Sequence, residues 1–492
     1  MTHFCLRSCI LVAALSAFAQ SAYSQNTFYG TFSLASDTTG SYDAAFGVNA
    51  LYSNTTGSYN AAFGIDALYS NTTGNENTAS GSQALLSNTT GKDNTAFGFD
   101  ALFYNTTGGY NTASGSSALT SNTTGYSNAA VGFQALLSNT SGYSNTASGV
   151  NALYSNTTGI RNTAAGQDAL SSNQTGDNNT AIGVQALSLA TDGNNTAVGF
   201  QAGLNVTTGS NNTASGYDAL FGVSGAGGST GSNNTGMGAA ALYSNATGNY
   251  NDASGQAALY SNTSGSGNEA SGHAALFFNT TGSYNVAIGY AAGYNQTTGS
   301  NNIYIGHRGV ATESGVTRIG APDTQTQTYI AGIENAKITG SAVYVTSTGQ
   351  LGVLASSERY KTAIEPIGAN GEKLRQLRPV SFHLRTDPKG AAQYGLIAEE
   401  VDKVYPELVI RDQAGKIQGV RYEELTPMLL NELQRQAAEI RDLTQQQKDA
   451  ITAQNAKIGG LEQEVAELND VKQKMRAVLL NLQSKDRFVA QR

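Results

Sequence analysis

From Gly30 to Gly183 a glycine returns every 17 residues. It returns again at 199, 216, 238, 255, 272, 289 and 306, with one interval of 16 and one of 22. Leucine stands four residues after the glycine in fourteen of these seventeen units; Gly203, Gly293 and Val310 fill the other three places. A repeat this regular can only build a stack in which each unit packs on its neighbours. The unit is β rather than helical, because glycine in helix interiors costs about 1 kcal/mol each. A second glycine closes each N-T-T-G-like corner, as at Gly57, Gly74 and Gly91. Two such corners leave two runs of about five residues, the length of short strands. Asparagine and glycine tolerate the left-handed backbone that tight corners need.

The expected fold class is therefore mainly β, a parallel β-roll or solenoid of 17-residue repeats. Alanine and leucine on one phase make a thin core, and Asn and Thr in register make ladders between coils. Strands stacked ~4.8 Å apart over sixteen intervals give a rod of roughly 75–80 Å. The five extra residues between Gly216 and Gly238 should loop out somewhere within Gly222 to Ser232. The N-T-T triplets fit the glycosylation acceptor pattern, but they recur because the corner recurs. Aspartates fall on varying phases and no G-G-x-G-x-D repeat occurs, so no calcium, metal or other cofactor is expected. His273 and His307 read as surface residues.

The unit N-T-A-x-G-x-x-A-L resembles the head repeats of trimeric adhesins, which are left-handed parallel β-rolls with shorter repeats. One narrow roll buries little apolar area and three together bury much more, so a homotrimer is the expectation.

Charge is unevenly distributed. Between Gly30 and Gly306 there are two basic residues, Lys92 and Arg161, against twelve acids, while the remainder to Arg492 is mixed and highly charged. Nothing resembles a basic nucleic-acid footprint. The first 24 residues read as a secretory signal: Arg7, an apolar run from Cys9 to Ala19 too short to span a bilayer, and small-x-small cleavage sites. Cys5 and Cys9 are the only cysteines, so the mature chain has no thiol chemistry. The expected location is secreted or cell-surface, with no membrane-spanning segment in the mature chain.

The remaining divisions are 25–306 for the repeat, 307–355 for a β-rich connector, 356–430 for a small α+β domain and 431–492 for a helix. In that helix Ile451, Ile458, Val465 and Leu479 fall on one heptad position and Leu461, Leu468, Met475 and Leu482 on the other, the pattern of a coiled coil. Gly459-Gly460 interrupts it.

In the third division Ser356 and Lys361 stand five residues apart in S-S-E-R-Y-K-T-A-I. Together with L-R-P-V-S-F at 377–382, Q-Y-G-L-I-A-E-E-V at 393–401 and V-R-Y-E-E-L at 420–425, this stretch resembles the peptidase S74 family. These are the C-terminal intramolecular chaperones of phage tailspikes, endosialidases and bacterial surface fibres. The resemblance implies a domain that trimerises, assists folding of the fibre before it, and then cuts itself away. It implies Ser356 as nucleophile and Lys361 as general base. Ser357 stands where tailspike members often carry Asp, and is the second choice of nucleophile. The whole chain reads as a homotrimeric surface fibre of the adhesin kind, self-cleaving or, alternatively, only trimerising. A glycan or cell-surface ligand is an open further partner.

Overall fold

The computed structural model describes residues 25–489, except 226, 323, 326, 332–341, 347 and 413, and side chains only as far as 484. The expected signal segment, with both cysteines, lies outside the described residues. Two compact units divide the chain, one ending at Ile330 and one beginning at Ala331.

Each coil of the first unit contributes one three-residue strand, from β1 (Thr27–Tyr29) to β18 (Thr317–Ile319). All eighteen strands pair in parallel in one sheet, in register with the coil before and after. Ala61, Ala62 and Phe63, for example, stand opposite Thr78, Ala79 and Ser80. The expectation of two five-residue runs per coil is corrected here: one short strand is followed by a succession of turns. The cause is local. Three residues in most coils, usually not glycine, adopt the left-handed backbone, as Asn49, Leu51 and Tyr59 do at φ 57°, 53° and 62°. A leucine held there costs on the order of 1–3 kcal/mol and persists only where surroundings enforce it. They do: Leu51 is fully buried with Ala45 and Ala50. Its N–H donates to Ala67 O at 3.0 Å in the next coil, and its own carbonyl accepts from Asn54 N–H.

The recurrent glycine is dictated by close approach. Gly47 sits at φ 147°, and a Cβ there would lie 2.3 Å from the carbonyl oxygen of Gly64. No side chain fits between coils at that point.

Two columns of buried asparagine tie the coils together. In one, the backbone N–H and Nδ2 of Asn77 donate to Oδ1 of Asn60 at 3.1 and 3.2 Å, and Nδ2 also reaches Gly91 O at 2.9 Å. In the other, Asn71 Nδ2 donates to Asn54 Oδ1 at 2.9 Å and to Gly74 O at 3.0 Å. The second column is that of the N-T-T triplets, and its fully buried asparagines bear out corner chemistry over glycosylation. Within the columns the amides point the same way, with donors toward the N-terminal coil, and Ala190, Val206 and Val223 interrupt the second column. Near the N-terminal end aspartate enters both columns, as Asp37 in one and as Asp43, between Asn26 and Asn60, in the other. Asp43 Oδ1 accepts from Asn60 N–H and Nδ2 at 2.8 and 3.1 Å, and Asp37 Oδ1 accepts from Asn54 Nδ2 at 3.3 Å. Burial nevertheless dominates at Asp43 and pushes its carboxyl up to about 6, and it raises Asp37 in the same direction.

Departures from the repeat have steric causes. Gly293 replaces the recurrent leucine because Tyr304, fully buried, fills the core of the next coil; a Cβ at Gly293 would lie 2.8 Å from the Tyr304 ring. The Tyr304 hydroxyl donates to Gln296 Oε1 at 3.1 Å. The added residues after Gly216 leave the stack between Gly222, which still donates to Tyr243 O, and Ser229, which accepts from Thr207 N–H. That lies within the expected loop. The sheet also continues past Gly306, since Ile303 to Ile305 pairs with β18 inside the stretch expected as connector. His307 is half-buried rather than on the open surface, and its Nδ1 accepts from Gly309 N–H at 2.8 Å.

The second unit holds three antiparallel hairpins: β19 (Tyr344–Val345) with β20 (Leu351–Gly352), β21 (Val380–Phe382) with β22 (Gln393–Gly395), and β23 (Val409–Arg411) with β24 (Ile417–Val420). Helix α1 (Ala398–Val401) is short and α2 (Tyr422–Val489) is long. Its core is Val401, Tyr405, Leu408, Val409, Val420 and Leu425. Helix α2 starts ahead of the helical division expected at 431–492 and runs unbroken through Gly459-Gly460.

Two outcomes test this account of the stack. Gly115→Ala, whose Cβ would lie 2.3 Å from Gly132 O at φ 148°, should destabilise the solenoid by about 3 kcal/mol or more in thermal or denaturant melts. Asp43 binds its proton more tightly folded (about 6) than in its ordinary state (3.8). Its contribution is therefore fully present below about 3.8 and is lost as pH rises through 6. Hydrogen exchange at residues 27–46, corrected for intrinsic rates, should slow on acidification across that window. Asp43→Asn should remove the dependence.

Candidate functional site

The chain reaches Ser356 as an exposed extended segment. Ser357 then precedes a single 3-10 turn, Glu358–Tyr360, closed by Tyr360 N–H to Ser357 O at 3.0 Å and Lys361 N–H to Glu358 O at 2.9 Å. This one turn folds the five-residue spacing back on itself. Lys361 Nζ comes to 3.3 Å from Ser356 Oγ, donating to it. The two residues singled out in sequence are thus brought together. Ser357 makes no side-chain capping bond. The Arg359 guanidinium lies 4.7 Å from the Tyr360 ring centroid.

Every residue from Ser356 to Ile367 is exposed in the single chain. A serine hydroxyl becomes a nucleophile when a neighbouring base takes its proton. An amine does so only after desolvation has disfavoured its charged form. One copy supplies the spacing of the pair but not the dry surroundings.

The other three motifs fold into one module. L-R-P-V-S-F supplies β21 and Q-Y-G supplies β22, with Val380 opposite Gly395 and Phe382 opposite Gln393. Arg378 grips Glu400 through two bonds, Nη2 to Oε1 at 2.5 Å and Nε to Oε2 at 3.2 Å. That grip holds the Glu400 carboxyl below its ordinary range. Tyr422, from V-R-Y-E-E-L, accepts from Leu396 N–H at 2.8 Å. The Tyr405 hydroxyl donates to Asn370 O at 2.5 Å.

Sequence reasoning missed the hub of this module, Glu432. It sits in the stretch assigned to the coiled coil. Its carboxylate takes Arg435 Nε at 2.9 Å, Arg375 Nη2 at 2.7 Å and Gln436 Nε2 at 2.8 Å. Arg435 first, then Arg375, push its carboxyl down to about 2. The i,i+3 partner Arg435 was visible in sequence, whereas Arg375 is 57 residues away. Among the described residues no cluster of His, Cys, Asp and Glu could hold a metal ion, and no helix is long and apolar enough to cross a membrane.

The family model for Peptidase S74, described as the chaperone of endosialidase, matches residues 356–410. The match opens on Ser356, takes in Lys361, β21, β22 and α1, and ends within β23. The core is completed beyond it by β24 and the first turns of α2. No curated protein and no solved structure matches the chain. The chain carries an S74 chaperone segment behind a parallel β-solenoid, the make-up of a tail-fibre-like protein.

Glu432 yields a pH test. Its lowered carboxyl contributes stability that is present above about 4.5 and is lost as pH falls through about 2. Protease resistance of the segment joining Arg375 to the start of α2 should fall on acidification through that window. Glu432→Gln should weaken it at neutral pH and flatten the acid response.

Proposed function

We propose that this chain is a secreted or surface homotrimeric fibre whose C-terminal segment gathers three copies, assists folding of the solenoid and then cuts the backbone next to Ser356. The observation that carries the reading is the 3.3 Å approach of Lys361 Nζ to Ser356 Oγ, at the residue where the S74 match begins.

The chemistry follows from the pair. Lys361, once neutral, takes the proton from Ser356 Oγ. The oxygen attacks a neighbouring carbonyl carbon, the C–N bond breaks as the departing amine receives the proton, and water then hydrolyses the ester left on Ser356 Oγ, releasing the carboxylate and restoring the hydroxyl. Neutral lysine requires a desolvated setting, which neighbouring copies supply. Cutting is thereby tied to assembly.

Helix α2 supports the assembly half. Its heptad side chains are exposed in the single chain: Ile458 by 53%, Leu461 by 57% and Leu468 by 67%. Such a stripe is covered when helices pair through it. Non-local pairing of three chains is slow and leaves strand edges open, so a segment that raises local concentration and sets register has an evident use.

The second reading, a trimeriser that never cuts, is favoured by the open, solvated setting of the pair. Denaturing gels and mass spectrometry separate the two. The wild-type assembly should yield a C-terminal fragment starting next to Ser356 and ending at Arg492. Ser356→Ala and Lys361→Ala should leave full-length chains that still assemble, while Ser357→Ala still cuts. A wild-type assembly that stays full-length on long incubation would leave the non-cutting trimeriser.

A further inference from the structure

The glycine that starts each coil forms the floor of a groove along one face of the solenoid. Its walls are the residues immediately before and after each glycine, as seen where Tyr29, Thr31, Phe46 and Val48 line a shallow hollow over Gly30 and Gly47. These walls are two columns of seventeen residues, and neither contains an Asp, Glu, Lys or Arg. Apart from Asp252 and Glu269 at the start of two strands, charges such as Glu76, Asp93 and Arg161 lie away from these walls.

The walls are also patterned. Over five consecutive coils, bulk alternates with serine: Phe63 and Ile65, then Ser80 and Ser82, then Phe97 and Phe99, then Ser114 and Ser116, then Val131 and Phe133. Phe97, Phe99 and Phe133 are each about half exposed, at 47%, 53% and 50%. With coils ~4.8 Å apart, apolar ridges recur every ~9.6 Å. Two coils interrupt the apolar face, with Asp252, Ser254 and Gln256 and then Glu269, Ser271 and His273, before Ile288, Tyr290 and Ile305 follow.

We propose that this glycine-floored groove, from about Phe46 to Met237, is the surface through which copies of the solenoid pack on one another. The inference rests on the trimeric reading and says which face makes the contact. The occupant is argued from period and charge. A second copy presents the same spacing, the same alternation and the same lack of charge over the same length. In a closed symmetric assembly equal levels meet. Ridge residues from several copies then converge at one level, and their rings spread into the room left by the serine coils above and below. An acidic or basic partner would find nothing to pair with here.

Single cysteines placed in the chain from Gln25 onward, which holds neither Cys5 nor Cys9, test the face. Ser116→Cys lies on the groove wall and Ser127→Cys on an exposed corner of the same coil. With a short bis-maleimide, Ser116→Cys should give covalently linked copies and Ser127→Cys only singly modified chains. A Phe99→Asp, Phe133→Asp double variant, both sites exposed, should keep its β-sheet circular dichroism yet lose solenoid protection against protease. Linking through Ser127 alone, or equally through both, in an assembly that light scattering shows to be trimeric would overturn this assignment and spare the trimer. A monomeric wild-type chain would overturn the trimer itself.

Discussion

The structure rests on the hydrogen bonds that each buried asparagine passes to the coil before it. A coil of this solenoid has few large side chains, and its core is alanine and leucine. What fixes one coil against the next is the pair of amide columns and the glycine carbonyls that meet between them. A buried amide without partners would cost about 1–3 kcal/mol, so a coil out of register forfeits several such bonds at once. Burial and backbone bonds, as from Leu51 N–H to Ala67 O, hold the recurrent leucine in a left-handed backbone that it would not otherwise occupy. The columns are directional. Near their donor ends aspartate enters both, as Asp37 in one and as Asp43, next to Asn26, in the other.

Much of this was legible. The 17-residue glycine period fixes the parallel register, and the Ala and Leu phases name the core. The Asn phases name the ladders. Other features were hidden for physical reasons. A turn succession with left-handed leucine has no propensity signature, so each coil was read as two strands instead of one. Gly293 looked like a lapse in the repeat until Tyr304, eleven residues on, was seen to need the space. In the second unit, Ser356 and Lys361 were identifiable by spacing and resemblance, because a single turn joins them. Glu432 was not, because its partner Arg375 is distant and its position also suited a coiled-coil helix.

The two units have complementary shortfalls. The solenoid has a groove without charge along one face, and α2 has an exposed heptad stripe. The Ser356–Lys361 pair has its distance but lacks dry surroundings. Each would be met by the presence of further copies. That is the physical reason for proposing the C-terminal segment as an assembler first and a cutter second: on that proposal the chemistry waits for a condition that assembly creates.

The most direct measurement is a refolding time course from denaturant that follows oligomeric state and chain length in the same samples, by native separation followed by denaturing gels. The account predicts full-length monomers, then full-length trimers, then trimers whose solenoid and C-terminal fragment have been separated next to Ser356. Cut chains in the monomer fraction would contradict it, since the lysine would then act without the surroundings that assembly supplies.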